Sequence, residues 1–160
     1  MSSIQTSQLE AAAVSLAAQS LCNGLIRRSI ELRALYRHAA KEVSEPGLRT
    51  VLNEEAQSLD HVIAELQAQL SKQTFIPATR SRMIGRARQH FDTLLVRSMH
   101  RSDDAWIRVL ARNEKRLLKA YERALGRIAS GEMTVVLHRQ LPRLQSIDMD
   151  MHSLAKAIGS

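Results

Sequence analysis

Cysteine and aromatic residues are scarce in this chain of 160 residues, which has one Cys and 3% aromatic residues. A lone cysteine, Cys22, excludes a disulfide within the chain and fits a reducing compartment. So few aromatic side chains argue against a platform on which nucleic-acid bases stack. No apolar run approaches the ~20 residues of a membrane span, and the first residues lack the basic start of a signal peptide. We therefore expect a cytoplasmic protein without a membrane span.

Several catalytic motifs are also missing. The sequence has no glycine-rich phosphate loop, no nucleophile elbow and no pair of cysteines with metal-ligand spacing. An ordinary hydrolase or nucleotide-dependent enzyme is therefore disfavoured, and no small-molecule substrate can be assigned. Ala, Leu, Arg, Gln and Glu outnumber Val and Ile, which favours helices over sheet. The length fits one domain covering residues 1–160.

Four long stretches repeat apolar residues at spacings of three and four, as amphipathic helices do. They cover about 8–43, 48–70, 102–128 and 133–158. Short breaks at 44–47 and 129–132 join them into two antiparallel hairpins, 8–70 and 102–158. Ser102 is a predicted N-cap of the third helix, and Pro142 predicts a kink or a restart in the fourth.

The two hairpins are separated by a long connection, residues 71–101, which contains Pro77 and a shorter amphipathic segment. Such a connection is long enough to travel the length of a helical bundle. The order of short turn, long connection and short turn is that of single-crossover, ferritin-like four-helix bundles. The predicted fold class is therefore all-α, with two antiparallel hairpins and a crossover that contains a short helix.

Several short motifs carry a resemblance to a known family. They are Tyr36-Arg37-His38-Ala39-Ala40 near the first turn, the acidic pair Glu54-Glu55, Glu114 ahead of Tyr121-Glu122-Arg123-Ala124-Leu125, and His152 on the last helix. Over residues 31–158 the chain resembles a family of bacterial ferritin-like proteins of unknown function. The resemblance implies the bundle fold and a stress-related role, with no established reaction.

Ferritin-like proteins often hold two metal ions between Glu and Glu-x-x-His motifs. In this chain the residue three before His61 is Ser58, and the residue three before His152 is Met149. Because neither Glu-x-x-His motif is present, a dinuclear redox centre is not predicted, and we lean towards a protein that is not an enzyme.

Three carboxylates lie on or beside the apolar stripes, at Glu55, Glu114 and Asp148. Counted from the end that carries the first turn, at about 1.5 Å per residue, they and Tyr36 share one level within a helical turn. Buried polar groups are costly unless they are hydrogen-bonded, paired or bound to a metal. His152 follows Asp148 by four residues, so these two side chains can touch along one face.

Two interpretations of this level remain open. In one, Glu55, Glu114, Asp148 and His152 hold a single iron, manganese or zinc ion, with the Tyr36 hydroxyl behind them. In the other, Tyr36, His152 or Arg28 satisfies the carboxylates, which then only fix the register of the helices, and no cofactor is bound. The incomplete ligand set favours the structural interpretation.

Two further sites are conceivable from the sequence. Glu31, Glu54 and His61 share a face and a depth, which makes them an alternative surface metal site. The formal net charge of +7 and a cluster of arginines in the crossover would suit nucleic acid; the cluster includes Arg80, Arg82, Arg86 and Arg88.

The apolar face of the crossover also suggests self-association. If this face does not pack on its own bundle, Phe91, Leu94 and Leu95 form a natural surface for a homodimer. The leading hypothesis is therefore a non-enzymatic structural or interaction protein. A metal-binding protein and a nucleic-acid-binding protein are the alternatives.

Overall fold

The computed structural model describes residues 2–72, 79, 102–128 and 131–159, with the side chains of residues 2 and 11–15 excepted. These residues form four helices, and no strand occurs among them. The helices are α1 (Ser2–Glu42), α2 (Pro46–Lys72), α3 (Asp103–Arg127) and α4 (Glu132–Gly159). The all-α prediction is confirmed, although α1 begins six residues earlier than predicted. The predicted crossover, 71–101, lies outside the described residues apart from the end of α2 and Thr79.

Side chains cap the starts of α2 and α3. Glu45 precedes α2, and its carboxylate accepts hydrogen bonds from the backbone N–H groups of Gly47 and Leu48. Pro46 takes the first position of α2, where its missing N–H costs no helical hydrogen bond. The Ser102 hydroxyl accepts from the Ala105 N–H at 3.3 Å, which confirms the predicted N-cap of α3.

Pro142 lies within α4, which runs as one helix from Glu132 to Gly159. Of the two predicted outcomes at this proline, the restart is therefore wrong, and the kink stays a prediction. Proline has no N–H, so the His138 carbonyl loses its usual donor four residues on. Both residues are exposed, so water can satisfy that carbonyl.

The four helices contact one another in the pairs α1–α2, α3–α4, α1–α3 and α2–α4. At one end, the Asp103 carboxylate accepts from the backbone N–H groups of Ser44 at 2.8 Å and Glu45 at 3.0 Å. At the other end, the Gln69 side-chain amide donates to Glu132 at 3.0 Å. The end of α2 and the beginning of α3 thus lie at opposite ends of the packed helices.

A continuous apolar core fills the space between the helices. Its fully enclosed members include Leu52, Leu59, Leu66, Leu110, Leu137 and Leu144. Each such side chain contributes roughly 1.5–3 kcal/mol relative to an exposed one. Within the described part of the chain, no helix is long and apolar enough to cross a membrane.

Ion pairs flank this core at the helix junctions. Asp60 of α2 accepts from Arg33 at 2.6 Å and from Arg37 at 2.9 Å, both on α1. Arg139 of α4 pairs with Glu65 of α2. These partly exposed pairs add little stability each, but they fix the helices in register.

Candidate functional site

One polar layer of the interior is fully hydrogen-bonded. The Tyr121 hydroxyl donates to the Gln140 Oε1 at 3.0 Å, and the Gln140 Nε2 donates to the Val62 carbonyl at 3.2 Å. Ser29, which is also fully buried, donates to the Leu25 carbonyl at 2.7 Å. Each of these buried groups has a partner, as is usual for polar atoms in a protein interior.

A second polar layer contains acids and will be called the acid cluster; it consists of Tyr36, Glu55, Glu114 and Asp148, one from each helix. Tyr36 and Glu114 have no exposed surface, and Glu55 and Asp148 are each 8% exposed. The predicted burial of the three carboxylates is therefore confirmed. The helical repeat places them inward because each sits a turn from core leucines on its own helix.

The acid cluster lacks the hydrogen bonds found in the other layer. Within the part of the chain that the structure describes, four buried oxygens have no hydrogen-bond partner: the Tyr36 hydroxyl, both Glu114 carboxyl oxygens and Asp148 Oδ1, although His152 Nδ1 lies 3.2 Å from that Asp148 oxygen. The Tyr36 hydroxyl approaches Glu114 closely enough to lower the pKa of that carboxyl, but not in the geometry of a full hydrogen bond. Buried carboxyl oxygens without a hydrogen bond reduce the stability of the folded protein unless a proton or a cation neutralises them.

The electrostatics of the cluster follow from its burial. The pKa of Glu114 is raised from 4.5 to about 8, mainly by burial; Tyr36 lowers it, and the charges of Glu55 and Asp148 add to the rise. Burial also raises the pKa of Glu55 to about 7, with Asp150 and Glu54 adding to the shift. These acids cannot all be ionised at neutral pH without a compensating positive charge.

The model of the family described as a domain of unknown function (DUF2383) matches residues 17–127, more than half of the chain. The chain belongs to this family. No curated protein matches it. The family match covers Tyr36, Glu55 and Glu114, whereas Asp148 of α4 lies beyond it. The family assigns no reaction, so any function must be argued from the acid cluster and from the molecular surface.

His152 lies outside the acid cluster, on the solvent side of Asp148. Its Nδ1 is 2.9 Å from the Asp148 backbone carbonyl and 3.2 Å from a carboxyl oxygen of the same residue. The predicted contact between these two residues is confirmed, but the imidazole is 46% exposed. Lys115 lies 3.7 Å from the other Asp148 oxygen. Asp148 therefore connects the cluster to Lys115 and His152 at the surface.

No group of three His, Cys, Asp or Glu side chains within the described ranges is arranged to hold a metal ion. Ligation by Glu55, Glu114, Asp148 and His152 thus stays a prediction, as does the surface set of Glu31, Glu54 and His61. Glu54 and His61 are exposed, and Glu31 is partly buried.

Arg28 was the predicted core-facing partner of the carboxylates, and this prediction is wrong because Arg28 is exposed. The neighbouring Ser29 occupies the core face instead. One residue turns a helix by about 100°, which moves a side chain from core to solvent. The structure adds two charged residues around the cluster that the sequence did not indicate. Asp150 acts on Glu55, and Lys115 contacts Asp148.

Two predicted surfaces fall on the crossover and lie outside the described residues. They are the nucleic-acid surface of Arg80, Arg82, Arg86 and Arg88, and the dimer surface of Phe91, Leu94 and Leu95. Both stay predictions.

Proposed function

We propose that this protein is a non-enzymatic, ferritin-like helical bundle whose acid cluster holds one divalent cation. The observation that carries the proposal is the set of four buried, unpartnered oxygens on Tyr36, Glu114 and Asp148. The other polar layer, around Tyr121 and Gln140, is hydrogen-bonded. This contrast between the two layers indicates that the oxygens of the acid cluster are arranged to bind a ligand.

The ferritin-like part of the proposal is supported by the helix directions. α1 and α2 form one antiparallel pair, and α3 and α4 form the other. The chain order places the end of α2 and the beginning of α3, at Asp103, at opposite ends of the packed helices. That order is the single-crossover connection of ferritin-like bundles.

The donor atoms fit a single hard cation better than a pair of redox metals. Glu114 offers two carboxyl oxygens that accept no hydrogen bond from the described residues, Tyr36 offers a hydroxyl, and Asp148 adds a carboxylate that is also in contact with His152 and Lys115. Oxygen donors of this kind suit manganese or magnesium, while an imidazole would shift preference towards zinc or iron. His152 lies on the outside of Asp148, and neither Glu-x-x-His motif is present, so a dinuclear centre does not fit.

A bound cation would supply positive charge to the interior. Glu114 would hold it most directly because both carboxyl oxygens are buried and unpartnered. Glu55, at 8% exposure, interacts electrostatically with Glu114 and with the exposed carboxylates Glu54 and Asp150. This series of acids leads from the surface of α2 and α4 towards Glu114 and would attract a cation to it.

The second candidate is a purely structural or interaction protein in which the acids carry protons. Two observations favour it. The pKa values of Glu55 and Glu114, raised by burial to about 7 and about 8, allow neutral carboxyl groups near physiological pH. In addition, the described residues contain no three-residue group arranged for a metal.

Elemental analysis separates the two candidates. Protein purified without chelator and incubated with Mn²⁺, Fe²⁺ or Zn²⁺ is desalted, and the bound metal is measured by mass spectrometry. The cation proposal expects one ion per chain, lost in Glu114→Gln and retained in Glu122→Gln, a matched change at an exposed position of the same helix. Absence of a stoichiometric ion in the wild type refutes cation binding and leaves the structural role.

A further inference from the structure

The outer face of the α1–α2 hairpin carries a groove that the acid cluster does not involve. It consists of two adjoining pockets of about 460 and 500 Å³, which share Arg37 and Asn53. Volumes of this size are typical of sites for small molecules. We call the two pockets together the hairpin groove.

The end of the groove nearest the turn is lined by three basic side chains. Arg37 and Lys41, four residues apart on α1, line one wall, and Arg49 of α2 lines the other. Asn53 adds an amide that can donate a hydrogen bond. Among the described residues, no acidic side chain lines this pocket, whereas Glu54 and Asp60 line the second pocket and Asp60 is paired with Arg37.

Two of these cations are held in place by the fold. Arg49 donates from Nε to the Ala40 carbonyl at 3.0 Å and from Nη2 to the Val43 carbonyl at 2.8 Å. Arg37 donates from Nη2 to the two Asp60 carboxyl oxygens at 2.9 and 3.1 Å. A guanidinium group has five N–H donors, so each arginine keeps donors beyond those that these bonds use. Because both arginine side chains are already ordered, they would lose little conformational entropy when a ligand binds.

We infer that the basic end of the hairpin groove binds the phosphate group of a small phosphorylated molecule, through Arg37, Lys41, Arg49 and Asn53. The N–H donors of a guanidinium group match the geometry of phosphate oxygens, and the ammonium group of Lys41 adds a mobile point charge. The adjoining pocket, with Thr50 and Gln57 among its lining residues, gives room for the rest of such a molecule. This site is independent of the cation proposed for the acid cluster.

Binding is tested by titration calorimetry and amide NMR at 0.15 M NaCl, with inorganic phosphate, pyrophosphate and ADP as probes. Saturable binding is expected, with the largest shift changes in residues 37–53. If ADP binds more tightly than pyrophosphate, the site recognises a phosphate ester. If the two affinities are equal, the site recognises the phosphate group alone. Both results support the site, whereas no saturable binding of any probe at millimolar concentration overturns it.

The variants avoid Arg37 and Arg49 because these residues also stabilise the hairpin. Lys41→Gln removes one charge and Asn53→Asp places a carboxylate in the pocket, and both positions are exposed. Each should weaken binding about tenfold, the loss expected for one charge-assisted hydrogen bond. Lys119→Gln, an exposed lysine on α3, is the matched control and should leave binding unchanged. Equal losses in Lys119→Gln and Lys41→Gln would show a general charge effect and overturn the proposal.

Discussion

Replacing Glu114 by glutamine should remove a large part of the pH dependence of folding stability. Glu114 is fully buried and faces Tyr36 of α1, Glu55 of α2 and Asp148 of α4, with Lys115 paired to Asp148 at the surface. In chelator, where no cation can compensate, the Glu114 carboxyl should be protonated in the folded protein near neutral pH. Glutamine has the same shape but cannot ionise, so it isolates the effect of this one proton.

The expected size follows from the pKa of Glu114, which burial raises from 4.5 in the unfolded chain to about 8 in the folded protein. A raised pKa means that the folded state binds the proton more tightly, so its stabilising effect is full below pH 4.5 and is lost as the pH rises through about 8. Each pH unit in this interval costs about 1.36 kcal/mol, which amounts to about 5 kcal/mol over the whole interval.

The assay is urea denaturation at several pH values from about 4.5 to 8.5 in EDTA, for the wild type, Glu114→Gln and the exposed control Glu122→Gln. Differences between proteins at the same pH cancel the groups that titrate in all of them. Relative to Glu114→Gln, the wild type should lose several kcal/mol between the lowest and highest pH, and Glu122→Gln should follow the wild type. Parallel curves for the wild type and Glu114→Gln would refute the assignment of Glu114 as a buried, proton-bearing acid.

Three further predictions concern stability and are checked by the same denaturation assay. Asp103→Ala should cost about 1–2 kcal/mol because two backbone N–H groups at the first turn lose their acceptor, while Asp104→Ala, its exposed neighbour, should cost less; equal losses would contradict this role for Asp103. Tyr121→Phe should cost about 1–2 kcal/mol because the buried Gln140 oxygen loses its donor, and an unchanged midpoint would contradict that pairing. Deleting residues 2–10 should change stability by less than about 0.5 kcal/mol because residues 3–10 are exposed, and a larger loss would show that this end of α1 is packed.

Periodicity predicted the helices and the inward position of three carboxylates because both depend on local geometry. Glu55, Glu114 and Asp148 each lie three or four residues from buried leucines, and a spacing of 3.6 residues per turn places them on the same side. The Ser102 cap was predictable for the same reason, since its partner is only three residues away.

Other features depend on contacts that a single sequence does not state. Asp103 caps the first turn across 59 residues of chain, and no local pattern marks that partnership. Gln140 was missed although it follows Leu137 by three and precedes Leu144 by four, a spacing that could have placed it inside. His152 was placed with the metal ligands because it can touch Asp148, but touching one acid does not fix which side of it the imidazole occupies.

A proton and a metal cation compete for the carboxyl oxygens of Glu114, and this competition connects the two proposed roles of the acid cluster. A buried carboxylate without a full hydrogen bond from the described residues is stabilised by one positive charge, which either a proton or a metal cation can provide. The proton is lost as the pH rises through about 8, whereas a cation binds better as the carboxyl group deprotonates. A bundle that loses stability with rising pH in EDTA but keeps it in Mn²⁺ would therefore bind the cation at Glu114. If the bundle loses stability equally in EDTA and in Mn²⁺, only a proton neutralises Glu114. The buried acids then have a structural role in the packing of the helices.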